Sequence, residues 1–272
     1  MYMTKNIGFI GGGQMAEAII KGLLQSNLFS DSLISVSEPL DKRKQYLKLN
    51  YNLKTVDDSV DLCSANNIII LAVKPQVMPA VLDQIKASVS HQLVITMAAG
   101  LPISFYVEQM ESPSMAIVRV MPNMPALIQQ GATALCRNSN VSDKDYAFVT
   151  TLFETIGSTV TVAESSMDAV TGLSGSGPAY VFSFIEAMID AGVKVGLSRE
   201  VAQKLTLQTI QGAVQLTKST ESHPAVLRDQ VTSPGGTTAS GLHILENNGF
   251  NGIVMSAVEA AYKRSVELGY RK

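Results

Sequence analysis

Residues 8–16 read GFIGGGQMA, and how this stretch folds decides the architecture. The apolar run at 6–10 reads as a strand, and residues 14–26 carry apolar side chains at helical spacing. Gly11-x-Gly13-x-x-Ala16 therefore follows a strand and opens a helix, the context that the dinucleotide fingerprint requires. Gly11 permits the tight turn, Gly13 lets the backbone approach a pyrophosphate, and Ala16 lets the helix pack closely on the strand. The free N–H groups of the first helical turn then face the anion. Taken alone, a glycine-rich stretch is equally a flexible turn; its place between strand and helix favours the binding loop.

The fingerprint asks for an acidic residue at the end of the second strand. Glu38 stands there, after an expected strand at 33–37. A carboxylate at that point bonds the ribose hydroxyls of NAD and repels the 2′-phosphate of NADP. Ser37, Lys42, Arg43 and Lys44 offer the opposite environment if they surround a phosphate, or Lys42, Arg43 and Lys44 simply mark a solvated helix face. The preference between NADPH and NADH stays open. Two further stretches are candidates for the cofactor because ligands of open α/β sheets bind beyond the carboxyl ends of strands. One is Ala72, Val73, Lys74 and Pro75, at the C-terminal end of NIIILAV (67–73); an ordinary surface lysine after a strand is an equal reading. The other is Ala98, Ala99 and Gly100, whose small side chains leave room for a nicotinamide ring.

Working outward, NIIILAV is continuously apolar, as a strand covered on both faces should be. Further strands are expected at 93–97, 116–121, 132–136 and 159–163. Helices are expected at 41–50, 78–88, 103–109 and 143–156, with Pro39 in the first turn of the one at 41–50. This alternation predicts a Rossmann-type, doubly wound, mostly parallel α/β sheet. It stops near Ala163. Three long helices follow, at 178–195, 199–219 and 251–268, with Ser198 as the N-cap of the second. The expected division is a dinucleotide-binding domain at 1–163 and an all-helical domain at 164–272. Residues 180–195 are apolar almost all round the helix, so this helix asks for cover on more than one side. A homodimer supplies that cover more readily than a small monomeric bundle does.

The 272 residues are 46% hydrophobic and 16% charged, with a net charge of −2. That balance supports a large core and gives no reason to expect nucleic acid as a partner. Cys63 and Cys136 lack a CxxC spacing, so neither a disulfide nor zinc is expected, and no metal site is read anywhere. No signal-peptide pattern is recognised, and the most apolar helix, at 178–197, contains Glu186, Asp190 and Lys194. The expectation is a cytoplasmic protein with no membrane span. His91, His223 and His243 are scattered and suggest structural roles.

Residues 232–242 read TSPGGTTASGL. Ser233 and Pro234 can begin a turn, Gly235 and Gly236 free the backbone, and Thr237 and Thr238 lead into a helix. Such a helix start presents N–H groups to a carboxylate, although a helix start without a ligand looks the same in sequence.

These stretches together resemble pyrroline-5-carboxylate reductases. The likeness spans nearly the whole chain. It includes IGGGQMAEAI (10–19), AVKPQ (72–76), RVMPNMPALIQQGATAL (119–135), TGLSGSGPAYVF (171–182), DAGVKVGLSRE (190–200) and HPAVLRDQVTSPGGTTASGLHILE (223–246). The resemblance implies reduction of L-1-pyrroline-5-carboxylate to L-proline by hydride transfer from NADPH or NADH, as the last step of proline synthesis. It implies a helical dimer, built in some members into larger rings. It places the substrate carboxylate on Ser233, Gly236, Thr237 and Thr238, with Thr238 facing the ring nitrogen as the catalytic residue. It places the dinucleotide on Ile10, Gly11, Gly12, Gly13, Gln14 and Met15, with a second contact at Ala72, Val73, Lys74 and Pro75. A 3-hydroxyacid dehydrogenase or a non-catalytic NAD(P)-binding module on the same scaffold are the rival readings.

Overall fold

The computed structural model describes residues 5–27 and 29–269. Its first part alternates strands and helices. β1 (Ile7–Ile10) leads into α1 (Gln14–Gln25), and β2 (Ile34–Ser37) into α2 (Asp41–Tyr51). β3 (Lys54–Val56), α3 (Ser59–Ala65), β4 (Ile68–Leu71), α4 (Met78–Ile85), β5 (Leu93–Thr96) and α5 (Ile103–Gln109) follow. β6 (Ala116–Met121), β7 (Gly131–Arg137), α6 (Asp143–Glu154) and β8 (Gly157–Thr161) complete the sheet.

The strand order is β3-β2-β1-β4-β5-β6-β7-β8. Neighbours run parallel except β6 and β7, which pair antiparallel. The order reverses between β1 and β4, so the crevice for a ligand opens at the carboxyl ends of these two strands. Alternate strand residues feed two cores. Ile7, Phe9, Ile68 and Ile70 belong to one apolar cluster, and Ile10, Ile69 and Leu71 to the other. The unbroken apolar run of β4 thus has helices on both faces to fill. Cys63 and Cys136 are unpaired and buried. Burial, with Asp58 nearby, pushes the Cys63 thiol up to about 12, and burial with Glu164 nearby pushes Cys136 up to about 11.

Several boundaries differ from those read in the sequence. Pro39 is not in the first turn of α2, because Leu40 is the N-cap and the helix starts at Asp41. The last strand begins two residues earlier than expected, its register set by pairing of Gly131 with Gly157. β3 and α3 were not anticipated. β3 has three residues, defined by pairing with β2 rather than by its own pattern. α3 is seven residues long, too short to show a helical period, and is started by Asp58, whose carboxylate accepts the Val60 N–H.

By internal packing the chain forms two units, one of residues up to Ser176 together with those from Ala260, the other Gly177–Glu259. The first unit thus extends past Ala163, where the strand rhythm ends. α7 (Met167–Val170) and a π-helical turn at Thr171–Gly175 continue it, and Met167 is buried in one of the sheet's cores.

The second unit holds α8 (Gly177–Lys194), α9 (Arg199–Thr220), α10 (Pro224–Gln230), α11 (Thr237–Asn247) and the start of α12 (Phe250–Gly269). Ser198 caps α9 through a bond from Val201 N–H. α8 and α9 approach closely at Gly192, where a Cβ would lie 2.8 Å from that of Ala202. Of the residues 177–259, only Ala202 and Thr206 are buried. Phe182, Leu205, Ile244, Ile253 and Met255 are exposed in the single chain. No described helix is long and apolar enough to cross a membrane.

Candidate active site

The glycine loop is wedged between the strands that flank β1. Gly11 has φ +95° and donates its N–H to Ser37 O at 2.8 Å. A Cβ there would lie 2.8 Å from Ala72 O, so both the conformation and the space demand glycine. Gly13 is the N-cap of α1, and no side chain caps the helix. Nothing lies within 4 Å of the position a Gly13 Cβ would take. Ala16 is buried against the sheet. A tight turn at Gly11, open space at Gly13 and uncapped helical amides fit a dinucleotide pyrophosphate.

The residue between them is held from both sides. Glu38 Oε2 accepts the Gly12 N–H at 2.9 Å, and Arg43 Nε donates to the Gly12 carbonyl. Glu38 is 7% exposed, and its Oε1 accepts the Leu40 N–H at 3.0 Å. Arg43 Nη2 also reaches Gly13 O and Glu17. Glu17 further accepts the hydroxyls of Tyr46 at 2.8 Å and Tyr51 at 2.7 Å. Burial raises the pKa of Glu17, but the bonds from Tyr51, Arg43 and Tyr46 outweigh it and leave it lowered. Lys44 pairs with Asp41 and Asp57. Ser37 is buried with its Oγ 3.0 Å from that of Ser59, and Lys42 is exposed. Of the four residues considered around a phosphate, Ser37, Arg43 and Lys44 are thus engaged by internal partners, and Lys42 is exposed.

Ala72 donates its N–H to Ile10 O at 2.8 Å, beside the loop. Val73 is half-buried, Lys74 is exposed, and Pro75 starts a single 3-10 turn. Ala98 is buried and Ala99 half-buried at the end of β5. Gly100 has φ +79°, and a Cβ there would lie 3.1 Å from Ser265 O and Gly269 N of α12.

In the helical unit, Gly235 has φ +68° and Gly236 is the N-cap of α11. Gly236 donates to Ser233 O at 3.0 Å, and no side chain caps the helix. A Cβ on Gly236 would meet the Ser233 hydroxyl at 2.3 Å. Ser233 and Thr237 are exposed and Thr238 half-buried. The turn and the helix start expected from TSPGGTTASGL thus exist, and the first-turn amides have no side-chain acceptor.

One cluster was not read from the sequence. Arg119 on β6 is 4% exposed and lies 3.5 Å from Glu164 and 3.8 Å from Asp168. Glu164 accepts the Ile103 N–H at the start of α5. An isolated arginine in a strand gives no sequence signal of such partners. Each histidine has a local partner: His91 Nδ1 lies 2.9 Å from Ser90 Oγ, His223 accepts the Ala225 N–H at the start of α10, and His243 lies 2.9 Å from Asn247 Nδ2.

A family model described as "Pyrroline-5-carboxylate reductase dimerisation" matches residues 164–268, and one described as "NADP oxidoreductase coenzyme F420-dependent" matches 6–100. The pyrroline-5-carboxylate reductase of Synechocystis is 45% identical over 98% of this chain and 99% of its own length. That of Methanosarcina acetivorans is 39% identical over 98% of each chain. The crystal structure of Plasmodium falciparum pyrroline carboxylate reductase with NADP bound superposes with a TM-score of 0.91, at 39% identity, covering 99% of this chain and all of the other. With sequence and fold both matched end to end, the chain belongs to the pyrroline-5-carboxylate reductase family.

Proposed function

We propose that this chain reduces L-1-pyrroline-5-carboxylate to L-proline, the closing step of proline biosynthesis, with NADPH or NADH as reductant. The observation that carries the reading is one chain holding two uncapped, glycine-opened helix starts, an open Gly13 on α1 and Gly236 on α11. Each is suited to an anion, and the reaction has two to hold, a pyrophosphate and a ring carboxylate.

The nicotinamide supplies the hydride that the ring C=N accepts. The chain's own residues bind and orient. Ile10, Gly11, Gly12, Gly13, Gln14 and Met15 hold the dinucleotide phosphates, Ser37 and Glu38 its ribose, and Ala72, Val73, Lys74, Pro75, Ala98, Ala99 and Gly100 border it. The amides of Gly236, Thr237 and Thr238 and the Ser233 hydroxyl hold the substrate carboxylate. The Thr238 hydroxyl orients the ring nitrogen. A ring imine protonated in solution needs no strong side-chain acid, which agrees with the absence of a catalytic histidine from this assignment. Residues 1–163 serve the nucleotide, and 164–272 serve substrate and assembly.

The chain forms a homo-oligomer. A unit of 83 residues with two buried side chains has no core of its own and completes one against a second copy. We assign a dimer, which is the unit from which larger rings would grow, and a cytoplasmic location. Purified protein should oxidise NADH or NADPH when given pyrroline-5-carboxylate and yield proline. Turnover of keto acids with no turnover of the cyclic imine would overturn the reading.

A further inference from the structure

We propose that this chain favours NADH over NADPH, and that Glu38 sets the preference. The inference rests on the glycine loop being the dinucleotide site. The two nucleotides differ by one phosphate on the adenosine ribose, which carries a charge of about −1.5 to −2 near neutrality. In this fold the ribose lies where β2 ends. That position is held by Glu38, buried and anchored by two backbone N–H groups, Gly12 to one oxygen and Leu40 to the other. In so buried a place its repulsion of a second anion is weakly screened.

A site for the 2′-phosphate would need a free guanidinium or ammonium near this carboxylate. Of the three cations close in sequence, Lys42 is solvated on the exposed face of α2, and Arg43 and Lys44 are engaged by internal partners. Arg43 donates from Nε to Gly12 O and from Nη2 to Gly13 O and Glu17, and its guanidinium lies over the Tyr46 ring at 4.9 Å. Lys44 is shared by Asp41 and Asp57. Those two aspartates add negative charge on the same flank. The same loop shape that binds pyrophosphate is therefore bordered by groups that accept ribose hydroxyls and disfavour a phosphate.

Binding of NADH and NADPH to the purified protein, measured by calorimetry without substrate, tests this apart from catalysis. NADH should bind at least tenfold tighter. Glu38→Gln keeps the size but lacks the charge. It should weaken grip on the loop for both nucleotides yet lower the NADH-to-NADPH affinity ratio about tenfold. Asp57→Asn, a surface change that leaves the loop intact, should release Lys44 in part and move the ratio toward NADPH by about threefold. Equal or tighter binding of NADPH by the wild type would overturn the proposal, as would a ratio unmoved by both variants. Failure to bind either nucleotide would instead refute the dinucleotide site itself.

Discussion

Ser265, near the end of α12, donates a 2.7 Å hydrogen bond to Asp168 Oδ1, which also faces the buried Arg119. Through this bond the last helix returns to the unit that contains the sheet. Gly100 permits the approach, since the space its side chain would need is taken by Ser265, Leu268 and Gly269. The turn after β5, the start of α5 and the end of α12 thus converge on a single arginine. Ser265→Ala should lower the unfolding free energy by about 1.5 kcal/mol, the low end for a bond to a charged group, because Asp168 keeps some solvent access. Arg119→Ala leaves two carboxylates without their cation and should cost about 3 kcal/mol. Urea denaturation reads both. The ranking fails if Arg119→Ala is the milder change.

Alanine at Gly11 and at Gly13 should differ in its effect on stability. At Gly11 the positive φ and the 2.8 Å approach to Ala72 O predict a destabilised fold, by about 1–3 kcal/mol, as well as loss of nucleotide binding. At Gly13 the backbone is extended and a Cβ meets nothing. Gly13→Ala should leave the melting temperature within a degree or so while weakening the nucleotide, because the methyl group intrudes only on a ligand. Thermal melts paired with calorimetry separate the two. Unchanged nucleotide affinity in Gly13→Ala would show that the open space at Gly13 does not serve a ligand.

Thr238→Ala should lower kcat/KM by about one to two orders of magnitude, the range for a lost orienting bond in a transition state. Nucleotide affinity should not change, since Thr238 belongs to α11 and not to the glycine loop. Steady-state kinetics with varied imine make the measurement. Activity within twofold of the wild type would remove Thr238 from the site.

Glu17 makes a pH prediction. Its pKa in the folded protein lies below the ordinary 4.5, burial being outweighed by the bonds from Tyr51, Arg43 and Tyr46. A depressed carboxylate contributes stability that is present above its unfolded pKa and is lost as pH falls through the folded value. Stability should therefore decline on acidification below about pH 4.5, and Glu17→Gln should flatten that decline while lowering stability at neutral pH. Urea midpoints across the acid range test it. An unchanged slope in the variant would mean that other carboxylates carry the acid sensitivity.

Much of the first unit was legible because its signals are local. Ile68, Ile69, Ile70 and Leu71 announce a strand with two covered faces by composition alone, and Gly11, Gly13 and Ala16 mark a loop whose requirements lie within six residues. The same holds for Gly236, Thr237 and Thr238 at the head of α11. β3 and α3 left no such trace, being shorter than the periods by which strands and helices are recognised. They exist because β2 offers an edge and Asp58 a cap.

The sequence by itself determined the alternating sheet, the helical second half and the two loops that suit anions, since backbone conformation and side-chain period are settled by near neighbours. Only the tertiary structure decided what the charged residues do. It bonded Arg43 to the Gly12 carbonyl, set Glu38 beside the same peptide, and gathered Arg119, Asp168 and Ser265 from distant parts of the chain. A charge takes whichever partner the fold brings within a few ångströms, and that choice is made through space, where separation along the chain carries no information.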